Sequence, residues 1–218
     1  MNEHGDRPGS RPGSRPERDE DSGTADSAAP GQHRAGLDPA TLASRLRRPG
    51  PAPVQLWDPP YCGELDMRIA RDGTWFHEGR PIRREALVQL FASVLKKEQG
   101  RYYLVTPVEK VGIQVDDCPF VACGAEWTGS GPELSLILTL NTGDRVTVDK
   151  AHPLTVSTLP DSEEPHPVVL VRNGLEALLS RNVFYQLVDA AESRSRDGRT
   201  CLGIYSKGEF FELGSYQG

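Results

Sequence analysis

Residues 61–117 read YCGELDMRIARDGTWFHEGRPIRREALVQLFASVLKKEQGRYYLVTPVEKVGIQVDD, and they leave few folds open. Leu65-Asp66-Met67-Arg68-Ile69 alternates apolar and polar residues, the period of a half-buried strand. Arg71-Asp72-Gly73 supplies a tight turn, because an Asp-Gly pair accepts positive φ. Thr74–His77 returns as a second strand. Gly79 and Pro81 then break the strand and open a helix, in which Ala86, Leu87, Leu90, Phe91, Val94 and Leu95 form one apolar stripe. Lys96 and Lys97 fall at the helix C-terminal end, where cations suit the dipole, and Gln99-Gly100 stops it. Two further strands, Tyr102–Val105 and Val111–Val115, are joined by the turn TPVEK. The order read from this stretch is ββαββ.

The same order returns near the C-terminus. Val168–Val171 reads as a strand, Arg172-Asn173-Gly174 as a turn and Leu175–Leu179 as a second strand. Val183, Leu187, Val188 and Ala191 mark a helix that Asp197-Gly198 closes, and Cys201–Tyr205 and Glu209–Leu213 flank Lys207-Gly208. Three anchors align at offsets of 101 (Asp72-Gly73 on Asn173-Gly174), 97 (Gln89-Leu90 on Gln186-Leu187) and 98 (Gly100-Arg101 on Gly198-Arg199). Units at 65–115 and 168–213 are each too short to sustain a core alone, so the two are expected to share one.

Between them, residues 118–158 read as β throughout. Asn141-Thr142-Gly143-Asp144 makes a hairpin between Leu134–Leu140 and Arg145–Val148, and Leu154–Val156 adds a short strand. The run LSLILTL is almost continuously apolar, as a strand covered on both faces should be. Ahead of the body, residues 1–36 carry RPGSRPGSRP and ERDEDSGTADS with hardly a large apolar side chain, a composition that predicts disorder. Asp38 and Pro39 cap a short helix, DPATLASRL, which Pro49, Pro51 and Pro53 terminate. The expected organisation is a tail (1–36), a helix and Pro-rich linker (37–59), a first motif (60–117), a β segment (118–160) and a second motif (161–218). Residues 60–214 form one compact α+β, β-rich body in this reading.

Composition excludes several classes. A formal charge of −6 argues against non-specific binding to nucleic acid or anionic membranes. No apolar run reaches the length of a membrane helix, and MNEHGDRPGS has no apolar signal region, so the chain reads as soluble and cytoplasmic. Cys62, Cys118, Cys123 and Cys201 form no CxxC pair, and no histidine stands at ligand spacing beside them. Nothing in these spacings calls for a metal or a cofactor, and the thiols read as reduced.

At CGELDMRIARDGTW, RPIRREALVQLF, LVTPVEK and HPLTV the sequence resembles a bacterial family, domain-of-unknown-function family 1285, from about Pro60 to Leu213. The resemblance implies a β-rich α+β fold built from repeated motifs and a link to signal transduction. The family has no established reaction, so the resemblance assigns no catalytic residue.

Two places stand out as binding candidates. Arg80, Arg83 and Arg84 gather where the first helix is expected to begin, although cations oppose the positive end of the dipole there. With free backbone N–H groups they would hold phosphate, a nucleotide or a partner's carboxylates. Glu78 and Glu85 offer the competing reading, a neutralised solvated surface. Thr106, Glu109 and Lys110 in TPVEK form the second candidate, a loop presented by a rigid sheet. Asp116-Asp117 reads as a strand end rather than a cation site, and His77 and His152 stand without a nucleophile or acid at an interpretable spacing. No GxSxG, HExxH or Walker loop is present. The residues therefore favour a non-catalytic regulatory module for a protein or small anionic ligand. A hydrolase-like site of Asp, Glu and His assembled by the fold is the alternative.

Overall fold

The computed structural model describes residues 52–159, 163–196 and 198–217. The tail at 1–36 and the helix expected over 38–46 lie outside the described residues. A 3-10 turn at Val54–Leu56 leads into β1 (Tyr61–Ile69), which pairs antiparallel with β2 (Trp75–His77), Met67 opposite His77. The expected Asp-Gly turn joins them: Gly73 sits at φ +83 and Asp72 Oδ1 accepts from Thr74 N (2.9 Å). A Cβ on Gly73 would stand 2.4 Å from Asn141 Nδ2, so the turn also requires glycine because another chain segment lies against it.

After β2 the structure departs from the sequence reading. Arg80–Pro81 is a short edge strand, β3, and the helix α1 runs only from Glu85 to Ser93. Its buried residues are Phe91 and Ala92; Ala86 is exposed. Leu95–Glu98 forms strand β4, and Gln99 and Gly100, both at positive φ, turn the hairpin into β5 (Arg101–Val105). Lys96 and Lys97 therefore stand opposite Tyr103 and Tyr102 in a ladder instead of at a helix end. The apolar run Leu90–Leu95 serves both elements, since the helix buries Phe91 and the strand buries Leu95. β6 (Lys110–Val115) pairs antiparallel with β5 and parallel with β1, giving a sheet ordered β3-β2-β1-β6-β5-β4.

The second sheet is ordered β10-β11-β12-β7-β8-β9: β7 is Phe120–Thr128, β8 Ser135–Leu140, β9 Arg145–Thr147, β10 Leu154–Thr158, β11 Pro165–Arg172 and β12 Leu175–Leu179. β8 lies between two neighbours with Leu136 and Leu138 fully buried, as its apolar run predicts. β11 and β12 form the second hairpin through Asn173 and Gly174, both at positive φ. α2 spans Arg181–Asp189, capped by Ser180, whose Oγ accepts from Val183 N (3.4 Å). It ends well before Gly198, which instead sits at positive φ between β13 (Glu192–Arg196) and β14 (Arg199–Ser206). β15 (Glu209–Gln217) completes a separate three-stranded antiparallel sheet.

Hairpin, helix and three-stranded meander thus occur twice in order, with one strand more after each helix than the sequence suggested. The pairing is not duplicated. β6 closes the first unit onto β1, whereas in the second β10 occupies the equivalent edge of β11. Buried residues from both units form one hydrophobic cluster. Side chains also fasten the first unit to the second sheet. Arg172 Nη2 donates to Ala92 O (2.7 Å) in the last turn of α1, and Gln89 Nε2 donates to Thr142 O (3.1 Å). Asn141 bridges the two, donating to Gly73 O (3.2 Å) and accepting from Val121 N (3.1 Å).

Candidate functional site

The chain leaves the first sheet for the second through four residues, 116–119. Asp116 N still bonds to Ile69 O (3.0 Å), so the loop is anchored on one side, and Phe120 opposite Ala177 anchors it on the other. Asp117, between these anchors, is the hub of a polar cluster. His166 Nε2–H donates to its Oδ1 (2.8 Å), the Cys118 thiol donates to the same oxygen (3.4 Å), and Arg71 Nε pairs with Oδ2 at 3.1 Å. The Asp117 and His166 side chains are about 15% exposed, and Cys118 is buried. Burial pushes the Cys118 thiol far above its ordinary range, with the Asp117 charge and hydrogen bond adding to the effect. The group stays a thiol at neutral pH, which makes it a poor nucleophile.

Beside this cluster lies a cavity of about 690 Å³. Arg71 and Asp72, from the β1–β2 turn, form one wall. Val121, Pro167 and Leu178 contribute an apolar floor, Phe184 of α2 an aromatic wall, and Tyr185 (61% exposed) lines it together with Arg181 and Glu164. A volume of this size suits a small organic molecule. Arg181 pairs with Glu164 (3.3 Å) at the open edge. A second cavity of about 510 Å³, which shares Asp72 with the first, is lined by Arg83, Glu85, Gln89, Cys123 and Thr142 among others.

The residues singled out in the sequence are dispersed among these features. Arg84 is the N-cap residue of α1 without a side-chain capping bond, and Arg80 lies on β3, before the helix. Of the three arginines only Arg83 lines a described cavity, in company with the acids Asp72 and Glu85. Thr106 is buried and organises its own turn: its Oγ1 accepts from Val108 N (3.3 Å) and Glu109 N (3.1 Å). Lys110 Nζ reaches across β5 to Glu98 (2.9 Å), which also holds Lys96 (2.7 Å), while Glu109 is half-buried in the turn. His77 lies within β2; His152 and its neighbour Ala151 close a turn on Asp149 Oδ1 through their backbone N–H groups. Cys118 and His166 were not candidates from sequence. They are 48 residues apart, and the sequence reading begins the strand at Val168, which leaves His166 in the loop before it, whereas β11 already starts at Pro165.

The comparisons with known proteins bear on this architecture. Residues 52–118 match the model for the N-terminal domain of the domain-of-unknown-function family DUF1285, and residues 119–213 match that for the C-terminal domain. The chain belongs to the DUF1285 family. The boundary between the family's two domains falls between Cys118 and Pro119, inside the loop that carries the polar cluster. A crystal structure of a DUF1285 protein from Silicibacter pomeroyi is 49% identical, covering 81% of this chain and 94% of that one, with a TM-score of 0.75. A DUF1285 protein from Shewanella baltica is 25% identical over 57% of this chain and 91% of that one, with a TM-score of 0.44. No curated protein matches. Among the described residues no helix is long and apolar enough to cross a membrane.

Proposed function

We propose that this DUF1285 protein is a non-catalytic regulatory module that binds a small amphipathic ligand in the 690 Å³ cavity. The observation that carries the reading is the ownership of the walls. Arg71 and Asp72 belong to the N-terminal family domain, and Val121, Leu178, Ser180, Phe184 and Tyr185 to the C-terminal one. Pockets favour such domain boundaries, and a ligand held there has contacts with both halves. The apolar floor and Phe184 suit a planar or aliphatic body. Arg71 and Arg181 at the margin suit an anionic group, because a guanidinium pairs with carboxylate or phosphate in a fixed geometry. Arg71 also holds Asp117, so an anion that draws Arg71 away loosens the loop joining the two sheets. That coupling gives the site a regulatory character, in keeping with the link to signalling that the family resemblance implies.

Catalysis is poorly supported by the lining. The cavity walls include neither a histidine nor a cysteine among the described residues, and the Ser180 hydroxyl is engaged as a helix cap. The test is a thermal-shift screen of small anionic metabolites against the wild type and Val121→Trp, which fills the floor. A ligand at a hundred times its Kd stabilises by about 2.7 kcal/mol, roughly 5–11 °C for a body of this size. The reading expects at least one such compound, silent on the filled variant. Absence of any stabilising compound, equal stabilisation of the filled variant, or turnover of an ester or phosphoester panel would each count against it.

A further inference from the structure

Asp117, Cys118 and His166 present a carboxylate oxygen, a sulfur and an imidazole nitrogen that all lie within 4.8 Å of one another. Two of the separations are shorter still, 2.8 Å from His166 Nε2 to Asp117 Oδ1 and 3.4 Å from Cys118 Sγ to the same oxygen. Zinc bonds of about 2.0 Å to nitrogen or oxygen and about 2.3 Å to sulfur place tetrahedral donors roughly 3.3–3.8 Å apart. The cluster is therefore within side-chain rotation of a coordination sphere. The donor set also selects a metal type. Calcium and magnesium take oxygen ligands, whereas a mixed sulfur, nitrogen and oxygen set suits zinc and its borderline-soft neighbours.

The surroundings favour a site over a chance contact. Cys118 is 4% exposed, and the loop that carries it is held by a sheet on each side, so two of the three donors have little freedom to lose. Arg71 occupies Asp117 Oδ2 and leaves Oδ1, the oxygen aimed at the other two donors, as the ligand atom. A carboxylate fixed this way by an outer partner is the usual arrangement around a protein-bound metal. A purely structural hub would account for the hydrogen bonds to Asp117 equally well, but it makes no demand that one of the three groups be a thiol.

We propose that Asp117, Cys118 and His166 form a binding site for one zinc-like divalent cation, with a fourth position left to water. On binding, the Cys118 S–H bond breaks, a sulfur–metal bond forms and the proton passes to solvent. His166 gives up the Nε2 hydrogen it shares with Asp117 and takes one up at Nδ1, so that Nε2 binds the ion as a neutral imidazole. The net loss is one proton, and no oxidant or reductant takes part. The bound ion ties β11 to the loop between the two family domains. None of the three ligands lines the 690 Å³ cavity; the two readings share Arg71, but the metal titration needs no ligand in the cavity, so failure of either test leaves the other reading standing.

The experiment is titration of the full reduced chain with Co²⁺, read by d–d absorption and by thiolate-to-cobalt charge transfer, then displacement by Zn²⁺. The expected result is one equivalent bound with a charge-transfer band. Cys118→Ser should abolish that band and His166→Ala should weaken binding by more than about tenfold, the scale on which even outer partners of a metal matter. Cys123→Ser, which alters an exposed thiol, should leave both unchanged. Circular dichroism confirms that each variant is folded; should Cys118→Ser fail, Asp117→Asn and His166→Ala carry the same expectation of weakened binding. A wild type without charge transfer, or a band that survives in His166→Ala and disappears in Cys123→Ser, overturns the proposal.

Discussion

Ser206 offers the sharpest test of how the third sheet is attached. It is fully buried at the end of β14, where its Oγ donates to Val148 O (2.6 Å) and accepts from Leu136 N (2.9 Å). One hydroxyl thus satisfies two main-chain groups of the second sheet, 58 and 70 residues away in sequence. Ser206→Ala removes a single oxygen and leaves both without that partner, in a place closed to water. An orphaned buried donor or acceptor costs about 1–3 kcal/mol. The neighbouring bonds, Val148 N to Leu136 O (2.9 Å) and Lys207 N to Leu134 O (2.7 Å), hold the strands nearly in place and limit relaxation. The two losses together amount to about 2–6 kcal/mol, or roughly 4–24 °C in Tm for a body of this size. Urea denaturation followed by circular dichroism measures it, with an unchanged slope showing that the folded state has not loosened. Ser130→Ala, in the exposed β7–β8 turn, is the control. A Ser206→Ala loss under about 1 kcal/mol would refute the reasoning, because it would mean that water or another group reaches Leu136 N and Val148 O.

Two further expectations follow from the first unit. Phe91 is fully buried and stacks on Trp75 with ring centroids 6.1 Å apart, so Phe91→Ala should cost about 3–5 kcal/mol, and a thermal shift near zero would remove α1 from the core. The Glu98 carboxyl is held below its ordinary range by hydrogen bonds from Lys96 and then Lys110. A depressed folded pKa means that this carboxylate stabilises the fold above the unfolded value and stops doing so as pH falls through the folded one. The stability gap between wild type and Glu98→Gln should therefore narrow from about pH 5 to pH 3, and a gap that stays constant in urea melts across that range would dissociate the carboxylate from the pair.

The elements legible in the sequence are those whose own residues carry the signal. The alternation of β1, the Asp-Gly and Asn-Gly turns and the apolar run of β8 needed no knowledge of what they pack against, and all recur in the structure. The failures arose where two elements share a pattern or where an element has none. Helical spacing across Leu90, Phe91, Val94 and Leu95 hid the change to β4, and Lys96-Lys97 fitted a helix end as well as a strand. β13 reads Glu-Ser-Arg-Ser-Arg; an edge strand paired only with β14 can be wholly polar, and no periodicity announces it. Of the three arginines, Arg84 is the N-cap residue of α1 and Arg83 precedes it, whereas Arg80 falls on β3, because the helix begins at Glu85 and not directly after Pro81.

The polar cluster was illegible for a different reason: its residues have no counterparts in the repeat. The offset of 98 that aligns Gly100 with Gly198 sets Ser215 and Tyr216 opposite Asp117 and Cys118. The second copy thus lacks the pair. Asp117 and Cys118 lie where the chain crosses from the first sheet to the second, and His166 begins the hairpin strand whose free edge β10 has taken. With that edge filled, the second unit cannot close on itself as the first does. Its β12 turns to β7, and the carboxyl end of β12 and the start of α2 are left facing the β1–β2 turn across the cavity. The break in the repeat is what brings Arg71 of one unit to the cavity of the other, and with it the groups that no spacing in the sequence connects.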